Sequence, residues 1–354
     1  MSDLNVSPSQ LSRFITAAMQ AAGLPPADAQ TVGELMAEAD VQGSDGHGVI
    51  RVPVYIRRIL GGAVNVTPQI RVVEERAATA VIDGDNGMGH LVMKRATELA
   101  IEKARTCGIA WVGSRYSNHA GPASLYARMP LAHDMVGLYF AVGNANHLPP
   151  WGGLDMLLST NPIAAAFPTH QEAPVVLDMA TTVAAYGKVK AKAMLGEMMP
   201  EGWMMDRQGQ PLLDPKRSEE GFLLPIGGYK GYGLSMIVGL LAGTLNGAAM
   251  GKEVIDFNND YTSVTNTGQA IAVIDPAAFG DVQAFKLRVD KLVQEIHASE
   301  RMPGFDRIWV PGEQSHLKRE RHLRQGIDVP LALCRQLDAV AQQLGVPTLA
   351  DTPH

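Results

Sequence analysis

In the segment GSDGHGVIR, residues 43–51, a histidine and an arginine stand four positions apart among three glycines. Imidazole exchanges protons near neutral pH, and a guanidinium can grip a carboxylate through two parallel N–H bonds. If the chain winds into helix after Gly48, the i,i+4 spacing places His47 and Arg51 on one face. Proton transfer beside a carboxylate clamp is what interconverting a 2-hydroxy acid and a 2-oxo acid requires. The spacing alone fits an ordinary surface pair as well.

Further along, YSNHAGPASLYA (116–127) sets His119 in a glycine turn, either as a second site histidine or as a helix cap. STNPIAAAFP (159–168) offers Ser159, Thr160 and Asn161 before a strand, and VLDMATT (176–182) ends a strand in Asp178, Thr181 and Thr182. Ligands gather at such strand ends in α/β proteins. GGYKGYG (227–233) precedes a helix expected from Leu234. Its glycines would let the backbone approach a phosphate and Lys230 would bring a charge, or the lysine is simply solvated. DGDNGMGH (83–90) reads better as a tight turn than as an anion cradle, with Gly84, Gly87 and Gly89 supplying φ > 0.

Absences prune the choices. No GxGxxG follows a strand, and GxxxxGK[ST], HExxH and GxSxG are missing, which removes the commonest dinucleotide, P-loop, zincin and hydrolase signatures. A net charge of -6 without clustered Lys and Arg gives nucleic acid no surface to follow. Cys107 and Cys334 have no CxxC or Cys/His grouping near them, so they read as two reduced, buried thiols and no metal site is expected. MSDLNVSPSQ is no secretory signal, and the apolar stretch 234–250, broken by Ser235, Gly239 and Gly243, suits a buried helix rather than a membrane span. The chain reads as cytoplasmic.

The elements that must position these groups follow from periodicity. Two amphipathic helices open the chain, one capped at Ser7 or Ser9 and stopped at Gly23, the next starting at Pro25 and Pro26 and stopped at Gly43. The His47 segment therefore leaves a helix C-terminus. From about residue 70, strands alternate with helices: 108–113, 135–144, 161–168, 174–180 and 269–275 are strand candidates, and residues 91–105 carry helical spacing. That mixture indicates layers around a mostly buried sheet. The expected division is a helical part over 1–70, an α/β cofactor- and substrate-binding domain over 71–275, and a segment over 276–354 packing back on the helical part. Residues 194–221, rich in Met, Gly and Pro, have no period and read as a lid or a poorly ordered insertion.

Six segments in this order, GSDGHGVIRVPVY, SNHAGPASLYA, STNPIAAAFP, VLDMATTVAAYGKV, GGYKGYGL and VPGEQ, resemble the malate/L-lactate dehydrogenase family, also called L-sulfolactate dehydrogenase-like. The resemblance implies an α/β, mixed-sheet, non-Rossmann fold with a helical domain formed by both chain ends. It implies an NAD- or NADP-dependent homodimer acting on a small-molecule carboxylate, either a 2-oxo or 2-hydroxy acid or a cyclic imine. By resemblance His47 is the proton donor and Arg51 the carboxylate clamp. His119 matches a proton acceptor of ureidoglycolate dehydrogenases, so the two histidines compete for the acid/base role. Thr160 would contact substrate. Ser117, His119, Asp178, Met179, Ala180, Lys230, Gly231 and the turn Pro311, Gly312, Glu313 would line the cofactor.

One departure bears on substrate. Most members read D-S-H-G, and in the cyclic imine reductases that serine and an aspartate form a relay with the histidine; here those positions are Gly46 and Lys188. Both changes remove oxygens that would orient the imidazole, which places the ketimine reductase reading behind the 2-oxo acid reading. A dinucleotide-binding homologue without activity is the remaining alternative.

Overall fold

The computed structural model describes residues 3–353. Its elements run β1 (Leu4–Val6), α1 (Pro8–Ala21), α2 (Pro26–Val41), α3 (Val52–Leu60), β2 (Arg71–Glu75), β3 (Thr79–Asp83), α4 (Gly89–Cys107), β4 (Ile109–Ser117) and α5 (Ser124–Arg128). There follow β5 (Val136–Ala141), β6 (Ile163–Phe167), β7 (Val175–Met179), α6 (Tyr186–Leu195), β8 (Met204–Asp206), β9 (Gly221–Leu223) and α7 (Tyr229–Ala242). The chain ends with β10 (Thr267–Ile274), α8 (Val282–Ala298), α9 (Glu313–Gln325), β11 (Ile327–Val329) and α10 (Leu331–Leu344).

Seven strands form one mixed sheet in the order β2-β3-β4-β10-β5-β6-β7, with β3 and β4 parallel across the α4 crossover and every other neighbour antiparallel. β10 lies mid-sheet and is buried over Thr267–Val273, as expected of a nearly continuous apolar run covered on both faces. α4 packs on the sheet through Val92, Met93, Ala96, Ala100 and Ala104, whose three-to-four-residue spacing makes one helix face. A second core joins the two chain ends. Leu11, Phe14 and Ile15 of α1, Met36 of α2 and Ile56 of α3 pack with Leu337 and Ala341 of α10, and β1 pairs with β11.

Several local expectations change. The helix that follows GGYKGYG begins at Tyr229, so Lys230 stands in its first turn rather than in a preceding loop. A Cβ on Gly231 would come within 2.0 Å of the Ile226 carbonyl, which explains the glycine inside the helix. α7 is also less buried than its apolar sequence suggested. Gly231, Ser235, Gly239 and Ala242 face the protein because small side chains allow close approach, while Leu234, Met236, Ile237 and Leu240 stay 36–49% exposed. No helix among the described residues is long and apolar enough to cross a membrane.

Cys334 is buried, but Cys107, ending α4, is exposed. In DGDNGMGH the positive φ values belong to Asp85 and Asn86, not to the glycines. Gly84 and Gly89 serve close approach instead, since a Cβ would come within 2.8 Å of the Tyr116 carbonyl and 2.1 Å of the Asn118 carbonyl. The aperiodic stretch 194–221 carries β8 and leads into β9, and its Met199, Met204 and Leu212 pack with Val189 of α6 and Leu223 of β9 in a small buried cluster. Its apolar residues pack without a helical or strand period, so periodicity could not reveal them.

Candidate active site

The His47 segment is built by its ends. α2 stops at Val41, the chain turns, and one 3-10 turn at Val49–Arg51 feeds α3. Asp40, the penultimate residue of α2, is 5% exposed, and its carboxylate accepts the Val49 N–H at 2.7 Å. A Cβ on Gly48 would lie 2.1 Å from Asp40 Oδ1, so Gly48 is the residue that admits this side chain. Burial pushes the Asp40 carboxyl up to about 8, with Asp45 adding to the rise and the Val49 bond opposing it. At neutral pH the anchor is largely an uncharged acid.

Arg51 is held by its own loop. Its Nε donates to the Gly46 carbonyl at 2.6 Å and its Nη1 to Asn258 Oδ1 at 3.3 Å, and no carboxylate among the described residues lies in ion-pair contact with it. Gly46 therefore contributes a carbonyl to the clamp. A Cβ there would meet nothing within 4 Å, so the missing serine is not a matter of space.

His47 and His119, the two histidines that the resemblance left competing for the acid/base role, lie side by side. Their rings stack with centroids 5.6 Å apart, and Phe257 stacks on the far face of His119 at 4.9 Å. The Arg51 guanidinium sits 5.6 Å from the Phe257 ring. The turn carrying His119 is fixed by Asn118, whose amide donates to the carbonyls of Asn86 and Gly87 and whose own carbonyl accepts from Gln269. Ser117 is fully buried beneath it, donating to the Asn118 carbonyl, and so lies under the turn rather than open to a ligand.

The tautomer of His119 follows from its partners. The Gly121 N–H can only donate, and it reaches Nδ1 at 3.3 Å; Tyr55 Oη lies 2.5 Å from the same nitrogen. Burial raises the Tyr55 hydroxyl well above its ordinary value, so it keeps its proton and donates too. Nδ1 is then an acceptor and Nε2 carries the hydrogen. His119 is thus set as a neutral N–H donor, whereas the His47 ring has no hydrogen-bond partner among the described residues. Desolvation and the Arg51 charge push His47 down to about 3, and the same causes hold His119 well below its ordinary value. An anion bound to Arg51 would offset one of those causes and raise His47 again.

Four neighbours of this constellation went unread in the sequence. Tyr55 stands four residues after Arg51 on the same helix face, a spacing that was available as a signal. His90, fully buried, meets Tyr55 edge-on at 5.8 Å and makes no hydrogen bond through either ring nitrogen. Phe257 and Asn258 reach the site from a distant loop pinned by the buried Arg58, which donates to the carbonyls of Asp260 and Ser263, and nothing in their local sequence announces it.

The residues expected to line a cofactor converge on the sheet's outer edge. Asp178 and Met179 end edge strand β7, with Ala180 next, and the Pro311–Glu313 turn lies along the same strand through the Val176 N–H to Pro311 bond of 2.9 Å. Gly312 permits this, because a Cβ would come within 2.7 Å of the Val176 carbonyl. Ile226, just before α7, donates to the Thr181 carbonyl at 3.0 Å, which brings Lys230 and Gly231 to this wall. Asp178 accepts the Ser124 N–H at 2.8 Å, tying the wall to the segment that carries His119. Desolvation raises the Asp178 carboxyl although part of its surface stays accessible, as on a cleft floor. Thr160 uses its carbonyl to accept from Thr181 and leaves its side chain beside Gly143. Glu313 is already engaged, with His297 at 3.1 Å, with Arg307, and with the Val310 N–H. The exposed Lys188 belongs to α6 and is not part of the histidine cluster. No group of three or more His, Cys, Asp or Glu among the described residues is arranged to hold a metal.

A sequence profile described as Malate/L-lactate dehydrogenase matches residues 6–338. The chain belongs to the malate/L-lactate dehydrogenase family. A malate dehydrogenase of Pyrococcus horikoshii is 37% identical over 98% of this chain and 97% of its own. The solved L-sulfolactate dehydrogenase of Methanocaldococcus jannaschii superposes with a TM-score of 0.90 at 34% identity, covering 99% of each chain. The solved delta1-piperideine-2-carboxylate reductase of Pseudomonas syringae gives 0.83 at 31% identity, covering 96% of this chain and 99% of that one. Membership in this dehydrogenase family makes the chain an oxidoreductase with a nicotinamide dinucleotide cofactor, and the mixed sheet is the family's fold.

Proposed function

We propose that the protein interconverts a small 2-oxo carboxylate and its 2-hydroxy acid. The observation that supports this best is the pairing, on one anchored segment, of a half-buried guanidinium with an imidazole, the first without a carboxylate and the second without a hydrogen-bond partner among the described residues. Arg51 fixes the substrate carboxylate and so presents one face of the reacting carbon. His47 gives its proton to the forming alkoxide during reduction and takes it back from the hydroxyl during oxidation. His119, with its hydrogen on Nε2, donates a hydrogen bond and is not the base. Thr160 lies at the substrate end, and Asp178, Met179, Ala180, Lys230, Gly231 and the Pro311–Glu313 turn receive the dinucleotide, with Ser117 shaping the turn from below. The bound nicotinamide, of NAD or of NADP, supplies or accepts the hydride.

The outward apolar side of α7, with Leu234, Met236, Ile237 and Leu240, supports a homodimer closed over that face in the cytoplasm. Reduction of a cyclic ketimine carboxylate is the second reading, favoured by the likeness to the piperideine carboxylate reductase and weakened by Gly46 and Lys188.

The test is cofactor oxidation against pyruvate, oxaloacetate and cyclic imino acids. We expect oxo acids to be turned over and His47→Ala to lower kcat by about 10² to 10⁴ while dinucleotide binding persists. Near-normal turnover by that variant moves the proton to His119, and turnover of imino acids alone replaces the oxo acid reading.

A further inference from the structure

Arg51 has one edge left to use. Its Nε is committed to the Gly46 carbonyl at 2.6 Å, which closes the side-on approach through Nε and Nη2. Nη1 donates to Asn258 Oδ1 at a long 3.3 Å, and Nη2 has no partner among the described residues yet is not sealed from solvent. The Phe257 ring lies against one face of the guanidinium, its centroid 5.6 Å from Cζ, so an acceptor cannot arrive from that face.

Two residues bound the open edge. Gly187 stands in the first turn of α6, and a Cβ there would meet one atom within 4 Å outside its own stretch of helix, Arg51 Nη2 at 3.9 Å. Gly187 has no left-handed backbone and no packed neighbour that a methyl would strike, so neither reason that holds Gly231 or Gly312 in place applies to it. Alanine is the better helix former. What the glycine keeps is the space in front of Nη2. On the other side, Asn258 Nδ2 donates to Asp256 Oδ1 at 3.0 Å, which turns Asn258 Oδ1 towards Arg51. This acceptor carries no charge, so it steadies Nη1 without neutralising the guanidinium.

We propose that the substrate carboxylate docks end-on across Nη1 and Nη2, in the gap between Gly187 and Asn258, and that these two residues complete the carboxylate subsite. Gly187 does so by the space it leaves, Asn258 by an uncharged oxygen held beside the clamp. This rests on the clamp reading above and adds which edge of Arg51 is used and what borders it.

The experiment measures KM and kcat for pyruvate and oxaloacetate in the wild type, Arg51→Ala, Gly187→Ala, Gly187→Val and Asn258→Asp. Alongside, it records the thermal-midpoint shift on adding oxamate, an unreactive isostere of pyruvate, to each chain with saturating NADH or NADPH. We expect Gly187→Ala to unfold no lower than the wild type without oxamate, yet to raise KM by about threefold, and Gly187→Val to raise it further. Asn258→Asp sets a carboxylate against the guanidinium and should raise KM by about tenfold or more, with a smaller change in kcat and a reduced oxamate shift. An unchanged KM and oxamate shift in Gly187→Ala and in Asn258→Asp overturns the proposal, as does a KM rise seen only in a variant whose own unfolding temperature has dropped. An oxamate shift absent from the wild type, or surviving in Arg51→Ala, overturns the clamp reading itself and the docking edge with it.

Discussion

Two regions meet at Arg51 and are built to different standards. Below lies the floor, where α2, the 43–51 segment and α3 join the core of both chain ends, and where hydrogen bonds of Asp40, Asn118 and Tyr55 hold the 43–51 segment and the turn carrying His119. Above lies the unit of α6 and the β8–β9 hairpin, whose own core is five residues, with Met194, Leu195 and Met198 60–70% exposed. A buried carboxyl, a buried imidazole at His90 and half-buried ionisable groups at His47, His119 and Arg51 are tolerated only where packing over-determines their place. The thin cover suits an element that must admit and release a substrate, because local stability follows buried apolar contact.

The sharpest break in that comparison is at Asp40. Asp40→Ala strands the Val49 N–H and leaves a void beside Gly48, which we expect to lower stability by about 2–4 kcal/mol and kcat at least tenfold. Asp40→Asn keeps the acceptor and should retain activity. The folded chain holds the Asp40 proton up to about 8, far above an ordinary carboxyl, so this group's contribution to stability falls as pH rises between those values. Asn has no proton to lose, and its unfolding profile should be flat above pH 6.5, where the histidines are neutral in the folded and the unfolded chain alike. Denaturant titrations of the three proteins between pH 6 and 9 decide this, and an alkaline decline that persists in Asp40→Asn rejects the anchor's protonation.

The opposite limb belongs to the histidines. His47 and His90 fall to about 3 and His147 to about 4, so between those values and 6.5 the unfolded chain binds protons that the folded chain refuses. Stability present above 6.5 should decline as pH falls, on the order of 1.4 kcal/mol per pH unit for each histidine that stays neutral. His90, fully buried and unpartnered, gives the cleanest test: His90→Gln should shallow the acid limb measured by thermal unfolding between pH 6.5 and 4. An unaltered slope places the acid sensitivity elsewhere.

How much of this could be read beforehand divides along the same line. The floor was largely legible. His47 and Arg51 belong to one short segment, although His47 stands in a turn before the 3-10 turn that holds Arg51 and the expected helix does not start at Gly48; Gly43 and Pro26 mark helix ends, and the strand runs 135–144 and 174–180 stand within a residue or two of β5 and β7 except for the overlong 142–144 tail. Local spacing dictates local geometry, and no long-range fact was needed. Phe257, Asn258 and Arg58 were illegible because their meeting with His119 and Arg51 depends on how a distant loop folds back. α7 misled for another reason. When a helix is apolar all round, hydropathy holds no direction, and only the small residues Ser235, Gly239 and Ala242 tell which side turns inward. The hairpin unit hid because its few apolar residues obey no period.

That last unit gives the smallest expected effect and the most direct check on its independence from the floor. Met204 of β8 is 2% exposed within the five-residue cluster, so Met204→Ala should cost roughly 2 kcal/mol, a large share of what so small a core can supply. If the unit is cooperatively separate, the loss appears locally: proteolysis within 194–221 accelerates and KM for the oxo acid rises a few-fold, while the global Tm moves by no more than about 1–2 °C. The floor would keep its geometry, and kcat at saturation would stay near the wild-type value, since His47 and Arg51 take none of their anchors from this hairpin. A Tm shift as large as that of Asp40→Ala would mean that cover and floor unfold together, and α6 would then ride on the same rigid body as the Arg51 that its Gly187 approaches.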